Sequence, residues 1–430
     1  APGPDGGAGD MKTLFSRSRL LVLAAYLAVI VIAPLLSPKG YWLSLLCQIG
    51  ISTVFALSFN MLLGQTGLLS FGHAVYFGLG AFATIHFLRA MHEHSFSFPV
   101  TLLPLAGGAA GLLFGIALGY VTTRRAGTTF AMISLGIGEM VAASSLMFPG
   151  LFGGEAGLSS NRMTSPGWFG ITYGSQLQMY YLIAGWAFLC ILGMFALTDT
   201  PLGRMANAVR DNPERAEFVG YDPQWVRYLM VVLAGFFAGV AGGLTALNYE
   251  IVTAETLSAS TSGIVIMMAF VGGIGHFAGP IVGAALITVL QIVVASVTEA
   301  WPFYFGILFT VLVLYAPGGI AGIVAEHKRL YDAGQLGRVL QQYLLGLVPF
   351  ALCCLGIVTL VEMAYVLANS SEPGNAPLHV FGVTLNAARP LGWAPPVIAV
   401  VVGGFLLRLV ARRMASRGET VVTSLLQRQA

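Results

Sequence analysis

Long apolar segments separated by short polar ones recur along the whole chain. Most are close to the length of about 20 residues that an α-helix needs to cross the hydrocarbon core of a bilayer. Strand-like alternation is weak, so the predicted fold class is an all-α, polytopic bundle of membrane-spanning helices. The twelve predicted spans are 20–36, 42–63, 73–90, 99–123, 127–148, 178–198, 226–248, 260–274, 279–298, 301–318, 344–367 and 394–411.

Two segments contain too many glycines for an unbroken helix, GQTGLLSFGH (64–73) and VGGIGHFAGP (271–280). Each predicts a break near the cytoplasmic end of a span, and transporters use broken helices near the substrate path. The two breaks occupy loosely corresponding places in the halves of 42–318, which leaves an internal repeat open. Glycines at every fourth position predict close helix packing; they are Gly107, Gly111, Gly115 and Gly119, and Gly235, Gly239 and Gly243.

Composition supports a membrane protein. Hydrophobic residues make up 57% of the chain, charged residues 9%, and the mean hydropathy is +0.81, whereas a soluble domain has about 25% charged residues. The net charge of +3 is spread over loops, so no nucleic-acid partner is expected. The four cysteines lack metal-ligand spacing, and neither a metal site nor catalytic residues are predicted.

Lysine and arginine are divided unevenly between the two sides of the predicted membrane. With the N-terminus in the cytoplasm, 17 fall in inside segments and 4 in outside segments. Cytoplasmic loops normally carry this excess, and one miscounted span would mix the groups. The pattern therefore predicts cytoplasmic termini, a disordered tail at 1–19, and a retained first span at 20–36 in place of a cleaved signal peptide.

The most polar part of the chain is 199–227, which holds nine charged residues in 29 positions. The orientation places it in the cytoplasm. A helix is predicted up to Asp211, and Asn212 followed by proline is typical of the start of a second helix. Gly220 is placed to end that helix, and Asp222 opens the next span.

These signals predict two short helices lying on the membrane, with i,i+4 ion pairs between Arg210 and Glu214 and between Asp211 and Arg215. A solvated loop helix is one interpretation of the segment. The other is a docking element for a cytoplasmic partner, favoured by its length, its capped order and its position between the sixth and seventh spans. The residues available for an apolar contact are Met205, Val209, Ala216 and Phe218.

Ionisable residues inside predicted spans are few. Glu139 lies near the middle of the fifth span, where a carboxyl group is costly unless it is paired or protonated. Two interpretations stay open, a hydrogen bond with Asn60 or Ser134 and a place along a translocation path. His73, beside the first break, is interpreted as a packing or capping residue or as a substrate contact. Glu362 is expected to pair locally.

Five motifs carry a family resemblance: NMLLGQTGLLSFGHAVYFGLGAF (60–82), GTTFAMISLGIGE (127–139), PLGRMANAVRDNPERAEFVGYDP (201–223), FVGGIGHFAGPIVGA (270–284) and LYAPGGIAGI (314–323). In this order they resemble the permease subunits of branched-chain amino acid ABC importers, the M-type subunit in particular. The resemblance implies a permease domain of about ten spans at 20–325. The chain departs from the family at 326–430, an extension with two predicted spans and a cytoplasmic tail.

The resemblance also implies roles and partners. The segment matching 203–220 resembles a coupling helix that docks on an ATPase subunit. No Walker motif surrounds any of the three lysines, so the chain is expected to be a transport subunit without cofactor, and ATP with Mg²⁺ is expected on partner subunits. The implied coupling residues are Gly203, Arg204, Arg210, Asp211, Glu214, Arg215 and Gly220, and the predicted path residues are Asn60, Gln65, His73 and Glu139.

The implied assembly lies in the bacterial inner membrane, in contact with its lipid. Its other members are a second homologous permease subunit, two cytoplasmic ABC ATPase subunits and a periplasmic or extracellular substrate-binding protein. The outer loop 149–178 is long enough to touch such a binding protein through Glu155 or Arg162, and simple solvation of these residues is the alternative.

Two other functions stay open at this point. A self-sufficient secondary transporter would use Glu139 or His73 as a proton carrier, and a membrane scaffold would transport nothing. Within the importer interpretation the substrate is open too. Branched-chain amino acids are the default, and similar permeases serve other amino acids, urea or small carboxylates.

Overall fold

The computed structural model describes Pro34 and residues 40–94, 98–164, 172–316, 318–332, 336–369, 377–380 and 383–410. The predicted tail at 1–19, nearly all of the predicted span 20–36 and the C-terminal tail lie outside these residues.

The described residues fold almost entirely as α-helices, which confirms the predicted all-α membrane bundle. The first eight helices are α1 (Gly40–Thr66), α2 (Ala74–Glu93), α3 (Leu103–Thr122), α4 (Gly127–Met147), α5 (Gln176–Asp199), α6 (Pro201–Asp211), α7 (Pro213–Phe218) and α8 (Pro223–Tyr249). They are followed by α9 (Ala259–Gly272), α10 (Gly279–Ala295), α11 (Trp301–Tyr315), α12 (Gly319–Asp332), α13 (Leu336–Asn369) and α14 (394–410).

Among the described residues, eight helices are long and apolar enough to cross a membrane, or nine when the bent pair of α11 and the start of α12 is counted as one span. Each predicted span from 42–63 onward corresponds to a helix. Apart from the bent pair, two of them are short, because α9 has 14 residues and α10 has 17. At 1.5 Å per residue they reach about 21 and 26 Å, less than the roughly 30 Å of a hydrocarbon core.

The chain divides into two compact units. The first contains the described residues up to Val293 together with Phe309–Gly322. The second contains Val294–Leu308 and the described residues from Ile323 onward. The second unit thus includes a stretch that precedes the predicted extension.

In the first unit α8 is the central helix and packs against α1, α2 and α3. Glycine makes this contact close. A Cβ on Gly239 would lie 2.2 Å from the carbonyl oxygen of Gly107, and a Cβ on Gly111 would lie 2.1 Å from that of Gly235. The two predicted glycine ridges therefore face one another, and backbone packing of this kind holds helices together in lipid.

At the C-terminal end of α8 in the first unit, β1 (Leu158–Ser159) pairs antiparallel with β2 (Ile251–Val252). Arg162 fastens this ribbon to the end of α8, where backbone carbonyls lack helical partners. Its guanidinium donates to the carbonyl oxygens of Leu247 at 2.8 Å and Asn248 at 3.2 Å, and it lies 3.8 Å from the Glu250 carboxylate. Because Arg162 is only 9% exposed, its predicted contact with a binding protein is wrong.

The second unit packs α13 against α14 through glycines. A Cβ on Gly403 would lie 2.8 Å from the backbone nitrogen of Cys353. Its ribbon pairs β3 (Pro377–Val380) with β4 (Val383–Asn386). The hydroxyl of Tyr304 donates to the Glu362 carboxylate at 2.7 Å. Glu362 is therefore paired, but its partner is on α11, 58 positions away in sequence, and is not the local one expected.

Candidate functional site: the charged segment and the two helix breaks

The charged segment forms α6 and α7, as its capping residues predict. Thr200 Oγ1 accepts from the Gly203 amide at 3.3 Å and begins α6. Asn212 is extended, and its side chain accepts from the Arg215 amide at 2.9 Å to begin α7. Gly220 has a φ of +95° just after α7, and Asp222 accepts from the Gln224 amide at 2.8 Å at the start of α8. The predicted two-helix shape is confirmed.

The predicted i,i+4 ion pairs are wrong. Arg210 pairs with its neighbour Asp211, with 3.0 Å between Nε and Oδ1. The reason is the extended backbone at Asn212, which separates α6 from α7 and removes the helical spacing that those pairs needed.

The two short helices present different faces. Val209 and Ala216 are buried, and α6 packs on α1, α5 and α8. By contrast, Phe218 is 92% exposed and the adjoining Val219 is 70% exposed. Of the apolar residues predicted to be available, Phe218 is therefore the most freely presented, and Met205 is half-buried.

The predicted coupling residues are divided between surface and interior. Gly203 is buried, and a Cβ there would lie 2.3 Å from the carbonyl oxygen of Leu197, so its role is to let α6 pack on the end of α5. The others are exposed on one continuous segment; they are Arg204, Arg210, Asp211, Glu214, Arg215 and Gly220.

Arg210 links this segment to the first helix break. Its Nη1 donates to the carbonyl oxygen of Gly64 in the last turn of α1. Gly67, with a φ of +69°, ends α1 and lies against the Arg210 side chain, which a Cβ on that glycine would approach to 3.1 Å. The contact joins residues 146 positions apart in sequence.

After α1 the chain turns back along it through residues 67–73, here called the return segment. His73, at the end of this segment, has its Nε2 2.9 Å from Ser58 Oγ. Ser58 precedes the last residue of α1 by eight positions, which corresponds to about 12 Å of helix. Helix α2 therefore begins deep beside α1 and not at the level where α1 ends.

Three serines from three helices hold the end of the return segment and the start of α2. Ser134 Oγ of α4 accepts from the Phe71 amide at 3.0 Å, and Ser262 Oγ of α9 accepts from the Ala74 amide at 3.0 Å. Ser58 Oγ donates to the Phe55 carbonyl at 2.7 Å, so His73 Nε2–H is the donor to it. These bonds satisfy backbone and side-chain groups that would otherwise be unpaired in an apolar interior.

The second break lies close to the first. Helix α9 ends at Gly272 and is followed by Gly273, which has a φ of +106°. A Cβ on Gly273 would lie 2.4 Å from the carbonyl oxygen of Gly318, and a Cβ on Gly64 would lie 3.0 Å from that of Ile274. The glycines of both breaks thus allow direct backbone contact, and both breaks fall where the sequence predicts them.

Three of the four predicted path residues are buried along α1 and the start of α2. His73 is fully buried, and Asn60 and Gln65 are 4% and 7% exposed. Within the part of the chain that the structure describes, Asn60 Oδ1, Gln65 Oε1 and His73 Nδ1 are buried without a hydrogen-bond partner. The rings of Phe55, Phe59 and Tyr76 surround His73.

Glu139 lies apart from these residues. It is exposed on α4, on a face that also carries Met132, Leu135 and Met140. Its suggested hydrogen bond with Ser134 is wrong, because Ser134 donates to the Ala131 carbonyl at 2.8 Å and accepts from Phe71. The carboxyl group instead points away from the packed core of the unit.

The sequence did not predict the serine contacts or the contact between Arg210 and Gly64. Ser58, Ser134 and Ser262 lie in apolar helices that carry other small residues, and no local signal marks which serine receives a distant amide. For Arg210, the exposed position in a charged segment indicated a contact with another protein and concealed one with α1.

The fold and site together define a multi-pass helical membrane protein with two glycine-rich breaks between helices and a structured polar segment between two spans. The model of the family described as branched-chain amino acid transport system / permease component matches residues 41–317. The chain belongs to this family. No solved structure matches it.

Curated relatives agree with the family. The high-affinity branched-chain amino acid transport system permease protein LivM of Salmonella typhimurium is 27% identical over 334 residues, covering 72% of this chain and 76% of the relative. LivM of Escherichia coli K12 is 25% identical, covering 74% and 78%. A probable branched-chain amino acid transport permease protein LivH from Methanocaldococcus jannaschii is 25% identical, covering 63% and 88%.

Proposed function

We propose that this chain is the permease subunit of an ABC importer that moves a small polar solute, a branched-chain or related amino acid, inward across the bacterial inner membrane. The observation that carries the proposal is the capped α6–α7 segment, which exposes Phe218 and reaches the first helix break through Arg210. Two cytoplasmic ABC ATPase subunits would bind ATP with Mg²⁺, dock on this segment and supply the energy.

A second homologous permease subunit would complete the pore. A carboxylate facing lipid near the centre of a span costs about 2.5–3.5 kcal/mol, so the exposed Glu139 face of α4 is unsuited to lipid contact. Either protein or an aqueous path must cover it. We assign this face to the translocation path between the two subunits. That the chain resembles relatives with both the LivM and the LivH names supports a pair of related permeases.

The substrate proposal follows the names of the relatives. In this assembly a periplasmic or extracellular binding protein would deliver the solute, and both chain termini would lie in the cytoplasm. The buried Asn60, Gln65 and His73 would become part of the path when the return segment moves, since each has a polar atom without a partner in the present conformation.

Uptake into liposomes tests the proposal. The vesicles contain this chain, a second permease and the two ATPases. They are expected to accumulate radiolabelled leucine only when binding protein is present outside and ATP is present inside, on the side of the ATPases. An ATPase variant that binds but does not hydrolyse ATP is the control. Leucine uptake driven by a proton gradient through this chain alone would contradict the proposal and support a secondary transporter.

Replacing Glu139 with glutamine tests its place on the path. The amide retains the size and loses the charge, so uptake is expected to fall by about tenfold if the carboxylate meets the solute, the effect of roughly 1.4 kcal/mol. ATPase binding is expected to stay unchanged. Full uptake by this variant would mean that Glu139 lies off the path, in a contact between subunits.

A further inference from the structure

We propose that Arg210 is a positioning residue that transmits movement of the α6–α7 segment to the return segment, and that it is not a docking contact for the ATPase. The inference rests on the proposed function and concerns how force would enter the membrane domain. It predicts that loss of Arg210 separates ATP hydrolysis from transport while the assembly stays intact.

The carbonyl that Arg210 contacts is left available by the way α1 ends. In a continuing helix the Gly64 oxygen would accept from the amide four residues later, at Leu68. The left-handed turn at Gly67 redirects that amide, which donates to the Leu62 oxygen at 3.0 Å, and Gly67 itself donates to Leu63 at 3.2 Å. The Arg210 guanidinium takes the vacated position at Gly64.

The guanidinium is held on its other side as well. Asp211 Oδ1 lies 3.0 Å from both Nε and Nη2 of Arg210. A planar guanidinium can serve two acceptors at fixed angles, which a point charge cannot reproduce. Arg210 is thereby fixed between the last residue of α6 and the last turn of α1, and its side chain is only 39% exposed against 69% for Asp211.

A movement of Gly64 can pass directly to the return segment and to the second break. The return segment begins three residues later, and the three serines fix its far end to α1, α4 and α9. Gly64 also lies against the Ile274 carbonyl in the second break. A shift of α6 would therefore act on both breaks through one side chain.

Uptake and hydrolysis measured together test the inference. In the assembled transporter Arg210→Ala is expected to keep its ATPase subunits and its hydrolysis rate within about twofold, while solute moved per ATP falls by about tenfold or more, within the range of typical coupling energies. Arg210→Lys, which keeps a donor of similar reach, is expected to retain part of the coupling.

Two other arginines serve as comparisons. Arg125 is exposed between α3 and α4, on the same proposed side of the membrane. Arg125→Ala is expected to leave the hydrolysis rate and the solute moved per ATP unchanged. Arg215 is exposed on α7, and Arg215→Ala is expected to weaken ATPase association. If Arg210→Ala also sheds the ATPase, Arg210 is a docking residue and the inference is overturned.

The rate of labelling in the return segment distinguishes transmission from a merely structural role of Arg210, because a structural role would not make that rate depend on nucleotide. Phe71 is 38% exposed, so Phe71→Cys, with the four native cysteines replaced by alanine, can report through its rate of maleimide labelling. That rate is expected to change between nucleotide-free and ATP-bound transporters, and to lose the change in Arg210→Ala. If the labelling rate still depends on nucleotide in Arg210→Ala, or if this variant takes up solute normally, Arg210 does not transmit the movement. Absence of uptake by the unsubstituted assembly would instead overturn the proposed function.

Discussion

Replacing Phe218 with aspartate is expected to abolish productive association with the ATPase subunits. The ring is 92% exposed at the end of α7, and Val219 beside it is 70% exposed. An aromatic side chain that fills a partner's pocket contributes about 2–4 kcal/mol, so its loss weakens a complex roughly 30- to 1000-fold. A charge in that pocket adds a desolvation cost. Binding of purified ATPase to the permease in detergent measures the effect.

The matched control is Phe218→Tyr, which keeps the ring and adds a hydroxyl at its rim. It is expected to bind nearly as well as the unsubstituted chain. Since Phe218 makes little contact with its own chain, both variants should insert and fold normally. Unchanged ATPase binding by the aspartate variant would remove α7 from the docking surface and leave the exposed charges of α6 as the remaining contact.

Replacing Gly239 with leucine is expected to prevent the first unit from folding. A Cβ at this position would lie 2.2 Å from the Gly107 carbonyl oxygen and 3.0 Å from the Gly111 Cα. Backbone atoms cannot move aside as a flexible side chain can, so α8 would have to separate from α3. Strain of about 3 kcal/mol or more follows from overpacking such a site. Size-exclusion chromatography after stepwise heating in detergent measures the loss of monodisperse protein.

Gly185 provides the comparison, because it lies exposed on α5 with no atom within 4 Å of an added Cβ. Gly185→Leu places the same side chain in another apolar helix and is expected to melt within a few degrees of the unsubstituted protein. If the two variants behave alike, close backbone packing of α3 and α8 is not what stabilises the bundle.

Much of the fold could be predicted because hydrophobic length and helix capping are local properties. The spans follow from apolar runs, and the ends of α6 and α7 follow from Asn212, Gly220 and Asp222, whose preferences depend on their own backbone. The glycines at every fourth position in α3 and α8 predicted close packing of each helix, but not that these two helices pack against one another.

The depth of each helix could not be predicted. An apolar run such as 73–90 indicates that a helix is long enough to cross, but α2 begins about 12 Å up the side of α1. That offset depends on Ser58, Ser134 and Ser262, which lie far from the return segment in sequence or on other helices. The predicted partners of Arg210 and Glu139 were wrong for the same reason. Arg210 contacts Gly64 of α1, and Ser134 accepts from Phe71 of the return segment, and both contacts join residues far apart in sequence.

The start of α2 has an electrical consequence. The Ala74 amide donates to Ser262, the fourth residue of α9, so the N-terminal ends of both helices lie side by side within the bundle. Each such end carries about half a positive elementary charge, and low polarisability of the surroundings strengthens its field. On the translocation path proposed above, a small cation near this point would meet two like-signed poles, as in pores that exclude protons and metal ions by half-helix dipoles. A zwitterion, whose charges cancel at a distance, would meet a much smaller barrier.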